Sequence, residues 1–467
     1  MRFKKPDEED IAYFKSVVGD AYVFRDGDVL NVACSDETED LVFIPEVVIR
    51  PCSTDDVSKI LSYCNNEQIA ITPRGAGTGL SGGALAVHGG VVLDMKKFDK
   101  IIKLDKENFQ VTVQPGVITQ VLQEYVSKEG LFYPPDPASK GSCFIGGNIA
   151  ENSGGPKAAK YGVVKDYVLN LEMVLPDGKV IWTGANVLKN ATGYNLTQLV
   201  VGSEGTLGVV TKIVLKLIPA VQYDLSILIP FHSAEDACKA VNTIMLAGIV
   251  PSALEFMERD ALDIAQKYTS ETTIAIPDDV KAHLLVEVDG NDMDALYAEV
   301  EKITALLEQY ETGEILLADN KAQKDAIWAL RRKVGEAVKS NSIYKEEDTV
   351  VPRAKLPQLL MCVKRVGGEY GFKSVCYGHA GDGNLHVNII KGDMDDDKWN
   401  NELPVAITKI FKEVVAMGGT ISGEHGIGLV QKGYMHLAFD ETQLGLMKGI
   451  KNLFDPNGIM NPGKIFD

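Results

Sequence analysis

One segment narrows the choice of architecture more than any other. A short apolar strand expected at 69–72 runs into Pro73-Arg74-Gly75-Ala76-Gly77-Thr78-Gly79-Leu80-Ser81-Gly82-Gly83, and a second strand follows at Val91–Asp94. Five glycines in so short a stretch are too free to hold a shape without something to wrap. Gly77 to Gly82 satisfies GxGxxG literally, but that fingerprint binds a dinucleotide only when a helix follows it. The handful of residues between Gly83 and Val91 leaves no room for one. The other phosphate signature, GxxxxGK at 458–464, has Ile465 where a Ser or Thr is required. A nest of backbone amides for an anion, or a plain set of tight turns, is what this single loop allows.

Three more segments share the enrichment: Pro134-Pro135-Asp136-Pro137-Ala138-Ser139, Gly146-Gly147-Asn148-Ile149-Ala150-Glu151-Asn152-Ser153-Gly154-Gly155 and Gly202-Ser203-Glu204-Gly205-Thr206-Leu207-Gly208. Their order and spacing are hard to explain as turns. Around them, Ser53-Thr54-Asp55-Asp56 reads as a helix start with Val57, Ile60, Leu61 and Cys64 on one face. A strand is expected at 111–114, an amphipathic helix through Ile118, Val121, Leu122, Tyr125 and Val126, and a hairpin across Pro176-Asp177-Gly178. From Tyr223 the chain changes to a twice-repeated strand and helix pattern, which suits a sheet covered on one face by helices. The reading is an α+β protein with domains at 1–219 and 220–417 and a final segment, 418–467, that returns to the first.

A net charge of −18 sets the chain against phosphate backbones and anionic lipid, so nucleic-acid binding is disfavoured. Seven cysteines without any CxxC fit reduced thiols in a cytoplasmic protein and leave no iron-sulfur motif. No stretch reaches the roughly 18 apolar residues of a membrane helix.

Three of the seven histidines fall in two glycine-framed motifs, Gly378-His379-Ala380-Gly381-Asp382-Gly383-Asn384-Leu385-His386-Val387-Asn388 and Ser422-Gly423-Glu424-His425-Gly426. A single buried histidine is usually a hydrogen-bonded core residue. His379 and His386, joined by a Gly-Asp-Gly turn, can instead converge, and Glu424 makes a two-histidine, one-carboxylate set suited to zinc, manganese or ferrous iron.

Taken with the glycine segments, the sequence resembles the flavoproteins of the vanillyl-alcohol oxidase type that include the glycolate oxidase flavin subunit, D-lactate dehydrogenases and D-2-hydroxyglutarate dehydrogenase. The resemblance covers nearly the whole chain. It implies a vanillyl-alcohol oxidase-type FAD-binding domain and a substrate (cap) domain. Arg74, Gly75, Gly77, Thr78, Gly79 and Ser81 are then expected around the pyrophosphate of FAD. Pro135, Asp136, Ser139, Gly146, Asn148, Ser153, Gly154, Glu204 and Gly205 are expected to line the rest. Relatives that attach FAD covalently often do so through a histidine in the first glycine loop, and none stands at 73–83, so the FAD is expected to be unlinked.

The same resemblance makes His379, His386 and Glu424 metal ligands and His425 the catalytic base. It places the substrate carboxylate on Arg331, with Lys345 as a second cation and Asn388 orienting the site. Gly335 stands where the hydroxyglutarate enzymes carry a threonine, which favours lactate or glycolate over 2-hydroxyglutarate. With no cluster motif, haem-attachment motif or nicotinamide fold in the sequence, electrons are expected to leave to a partner protein, an electron-transferring flavoprotein first, with separate iron-sulfur subunits or a quinone pool as alternatives. Two rivals stand beside this reading: an oxidase of a bulkier alcohol that needs no metal, and a flavin-holding subunit of a larger redox complex.

Overall fold

A computed structural model describes residues 3–38, 40–268 and 274–466. The chain divides into two compact units. The first comprises Met1–Gly154, Val163–Ala220 and Glu424–Asp467, and the second Gly155–Gly162 and Val221–Gly423. Gly155–Gly162, read from sequence as part of the first domain, thus belongs to the second unit. The reason is electrostatic: Lys157 bonds Glu287, Lys160 bonds Asp289, and Tyr161 donates to Asp289 at 2.9 Å.

In the first unit, Ile71–Arg74 and Val47–Ile49 pair in parallel with Val91–Asp94, and Val23–Phe24 completes a four-stranded sheet. A second sheet of five antiparallel strands runs in the order Ile101–Asp105, Gln110–Val113, Val209–Lys216, Val168–Val174, Val180–Trp182. The hairpin across Pro176-Asp177-Gly178 therefore forms where expected. The helix Thr54–Glu67 buries Val57, Ile60, Leu61 and Cys64 against the first sheet, the face read from sequence. It begins at Ser53, whose hydroxyl accepts the N–H of Asp56 at 3.1 Å while the Asp56 carboxylate accepts the N–H of Ser53. The helix Thr119–Ser127 departs from expectation. It buries Leu122 and Val126 but leaves Val121 49% and Tyr125 41% exposed, because its buried stripe is only one residue wide per turn.

The second unit is built on a seven-stranded sheet ordered Leu316–Ala318, Tyr223–Phe231, Ala282–Gly290, Ala253–Glu258, Lys373–Gly378, Asn384–Ile390, Tyr344–Val350. Helices cover both faces, not one. The helices Arg259–Tyr268 and Lys321–Asn341 pack with Leu228, Leu285, Met257 and Tyr377, while the alternate residues Ile227, Leu284, Val286 and Phe256 are buried too. Near-continuous burial along Tyr223–Phe231 and Ala282–Gly290 is the mark of a strand covered on both sides. No helix among the described residues is long and apolar enough to cross a membrane.

The capping bonds at Ser53 give a direct test. Ser53→Ala should cost about 1 kcal/mol of stability, read as a lower denaturation midpoint at unchanged slope. An unchanged midpoint would show that the cap contributes nothing.

Candidate active site

Ile71–Arg74 is a buried strand, and the glycine loop leaves its end. No helix forms between Gly83 and Val91, which removes the dinucleotide fold on structural grounds as well. Gly77 has φ +75°, and a Cβ there would collide with the Arg74 guanidinium, so only glycine lets that side chain lie under the loop. Arg74 Nη2 donates to the carbonyls of Val32 (3.1 Å) and Ser35 (2.8 Å).

Arg74, Gly75, Gly77, Thr78, Gly79, Ser139, Gly146, Asn148, Ser153, Glu204 and Gly205 line a single cleft in the first unit, and Glu424 and His425 lie on its wall. Ser81, Pro135, Asp136 and Gly154 are not among the residues that line this cleft. The Ser81 carbonyl accepts the N–H of Leu429, the Pro135 carbonyl accepts Gln123 Nε2, Asp136 pairs with Lys140, and Gly154 packs against Glu424. Two cleft features fit FAD, a long ligand with two phosphates and a flat ring. Arg74 Nη1 is buried without a protein partner, and a Cβ on Gly147 would meet no atom within 4 Å, so the wall is open at that point.

The cleft also holds a residue missed in the sequence. Glu151 and Glu204 both line it, and a Cβ on Gly426 would touch a carboxylate oxygen of each. Glu204, at φ +51°, accepts the N–H groups of Ile427 (2.8 Å) and Gly428 (2.6 Å). Glu151 Oε2 is buried with no partner. Burial, with Glu204 nearby, pushes the Glu151 carboxyl well above the usual range, and burial raises Glu204 to about 7 against the pull of its two amides.

In the second unit a polar face lies on the sheet. Pairing sets Met257 opposite Tyr377, Tyr377 opposite His386, and His386 opposite Asp348. The side chains of Glu255, Tyr377, His379, His386, Asn388, Glu346 and Asp348 therefore share one side. The His379 and His386 rings are 5.5 Å apart and near perpendicular. His379 Nδ1 lies 2.9 Å from both oxygens of Glu255, which also receives Arg331 Nε and Nη2 at 2.8 Å. The Arg331 guanidinium stacks on Tyr377 at 5.0 Å. Burial pushes the Glu255 carboxyl up, but Arg331 and His379 beside it outweigh burial and hold it below the ordinary value. His386 Nδ1 is 3.4 Å from Glu346, and Asn388 is buried with neither amide atom partnered.

Two buried imidazoles side by side, one of them held at Nδ1 by a carboxylate, fit a divalent cation. Lys345 is not on this face. It pairs opposite Ile389 and sits 5.3 Å over the Trp399 ring, on the other side of the sheet from His386 and Asn388, so alternation along its strand removes it from the site. Glu255, Glu346 and Tyr377 were not found from sequence. The one signal for Glu255 was a carboxylate inside the otherwise apolar run Ala253–Met257.

Residues 222–465 match the family described as FAD linked oxidases, C-terminal domain, and residues 45–184 match FAD binding domain. The chain is 37% identical to the D-lactate dehydrogenase of Anaerostipes hadrus, over 99% of this chain and 98% of that protein. It is 38% identical to glycolate oxidase subunit GlcD of Bacillus subtilis (strain 168), over 92% and 91%. Of solved structures, substrate-bound p-cresol methylhydroxylase is similar with a TM-score of 0.77, at 18% identity, over 98% of this chain and 96% of that one. The fold is the α+β, vanillyl-alcohol oxidase type expected from the sequence.

The raised carboxyls of the cleft make a pH prediction. A carboxyl whose folded pKa exceeds its unfolded one stabilises the fold below the unfolded value and loses that stabilisation as pH rises through the folded value. Glu151→Gln, neutral at all pH, should therefore match the wild type below about pH 4, under the unfolded carboxyl's value, and be the more stable of the two at pH 8. Equal thermal midpoints at pH 8 would contradict this.

Proposed function

Because the chain belongs to the family of FAD-linked oxidases, we propose that it oxidises a small D-2-hydroxy acid, lactate or glycolate, to the 2-oxo acid. In this reading the first unit is the FAD domain and the second the substrate domain. The observation that carries it is the polar face of the second unit. A guanidinium, two imidazoles and an amide with both atoms unpartnered gather there.

Arg331 binds the substrate carboxylate. Glu255 already holds its Nε and Nη2, so Nη1 is the donor left for the substrate. Asn388 offers a donor and an acceptor that orient the acid. His425 takes the hydroxyl proton, since an imidazole titrates close to neutral pH and can act as a general base there. His379 and His386, with Glu424 as third ligand, hold a divalent ion of zinc, manganese or iron(II), whose chemistry is to make the hydroxyl a stronger acid. FAD, held without a covalent bond by the cleft residues around Arg74, supplies the acceptor for the hydride released from C2. Electrons then pass to a partner protein, an electron-transferring flavoprotein first, and the activity belongs in the cytoplasm. The absence of any CxxC in the sequence and the seven unpaired cysteines support both statements.

Anaerobic D-lactate or glycolate should bleach the yellow purified protein, and NAD should not restore the colour. Failure of every 2-hydroxy acid to bleach it would refute the reading. Acid precipitation should leave the FAD in the supernatant. His425→Asn should retain both cofactors and lower turnover by about 10²- to 10⁴-fold, and a near-normal rate would remove His425 from the mechanism.

A further inference from the structure

We propose that Glu255 is a positioning residue for two groups at once: it fixes the ring proton of His379 and the fork of Arg331. The proposal rests on the reading of His379 as a metal ligand. Glu255 stands in the middle of the buried strand Ala253–Glu258 and its side chain is fully buried. On that face Ala253, Met257, Leu285 and Leu228 are apolar, while Glu287, opposite Ala253, is already held by Lys157, Ser252 and Trp328, and His283 lies opposite Met257. A carboxylate so placed persists only if its charge and lone pairs are answered. Two groups answer it, and both belong to the polar face described above.

The register explains why the same two residues meet it. Met257 lies opposite Tyr377, so Glu255, two residues before the one, comes beside His379, two residues after the other. Arg331 arrives from the helix Lys321–Asn341 with its guanidinium carbon 5.0 Å over the Tyr377 ring, and its Nε and Nη2 meet the carboxylate.

The chemistry follows from what each group can donate. An ionised carboxylate only accepts hydrogen bonds, so the contact at His379 Nδ1 requires the proton to be on Nδ1. Nε2 then carries the lone pair, the form in which an imidazole takes a cation, and the anion behind the ring makes it a better ligand. The same carboxylate holds two of the nitrogens of Arg331, which fixes the plane and direction of the third. A salt bridge serving stability alone would need Arg331 and not the histidine.

The test uses the full-length, FAD-loaded protein. Zinc affinity is measured by competition with a chromophoric chelator, and KM and kcat are measured with D-lactate. Glu255→Gln keeps the volume but loses the charge. It should bind zinc about 10- to 100-fold more weakly and raise KM more than it lowers kcat, with FAD content unchanged. Glu255→Asp keeps the charge on a shorter arm and should recover part of the zinc affinity. A folded Glu255→Gln protein with unchanged zinc affinity or unchanged KM overturns the proposal. Wild-type protein that binds none of zinc, manganese and iron(II) instead overturns the metal reading, and Glu255 with it. Should Glu255→Gln fail to fold, ¹⁵N-histidine spectra of the wild-type holoprotein decide: a proton on His379 Nδ1 supports the proposal and one on Nε2 overturns it.

Discussion

The first unit depends on the backbone of Ile71. Its N–H donates to the carbonyl of Ile459 at 2.8 Å, and its carbonyl accepts the N–H of Asn461 at 2.7 Å, while Val91 pairs with it from the other side. That strand delivers the glycine loop, so the loop's starting point is set by residues nearly four hundred positions later in the sequence. Asn461 extends the hold. At φ +42° its side-chain amide donates to the carbonyls of Gly83 (2.9 Å) and Glu204 (2.8 Å), joining the end of the glycine loop to the second glycine-rich wall. Asp455 supports this turn by accepting the N–H groups of Ile459 and Met460. A loop of five glycines has high entropy to lose on ordering, and these bonds hold its two ends.

The second unit meets a different difficulty, which is how to keep charge inside a sheet packed on both faces. Glu255, Glu287 and Asp289 are all buried, and each is matched. Glu287 takes Lys157, Ser252 and Trp328, and Asp289 takes Lys160 and Tyr161. Buried ion pairs of this kind add little net stability against an apolar replacement, while loss of one partner is costly. Their placement therefore shapes the polar face more than it strengthens the core.

Much of this was legible in the sequence because the signals were local. The Ser53 cap, the four buried residues that follow it, the Pro176-Asp177-Gly178 hairpin and the missing helix after Gly83 each depend on residues close together in the chain. Most of the glycine-rich residues read as cleft-lining do line it. What failed depended on which side of an element a residue takes. Lys345 is one position out of phase with Glu346, and in a strand one position is the opposite face. Glu151 and Glu255 went unread because a single carboxylate in an apolar or glycine-rich run matches no spacing rule, and only the fold shows what each one faces.

The path of the chain has a consequence for how the molecule comes to exist. The first unit is assembled from three stretches of sequence, with most of the second unit inserted before the last of them. During synthesis, Ile71 leaves the ribosome long before Ile459 and Asn461 do, so its edge hydrogen bonds stay unmade while the entire second unit is being translated. An unpaired strand edge is a template for wrong partners. The nascent chain therefore carries its most exposed hazard through most of its own translation, and only the final turn, Asp455 to Asn461, removes it. The order of synthesis makes the second unit the natural early folder and the cleft the last thing to close.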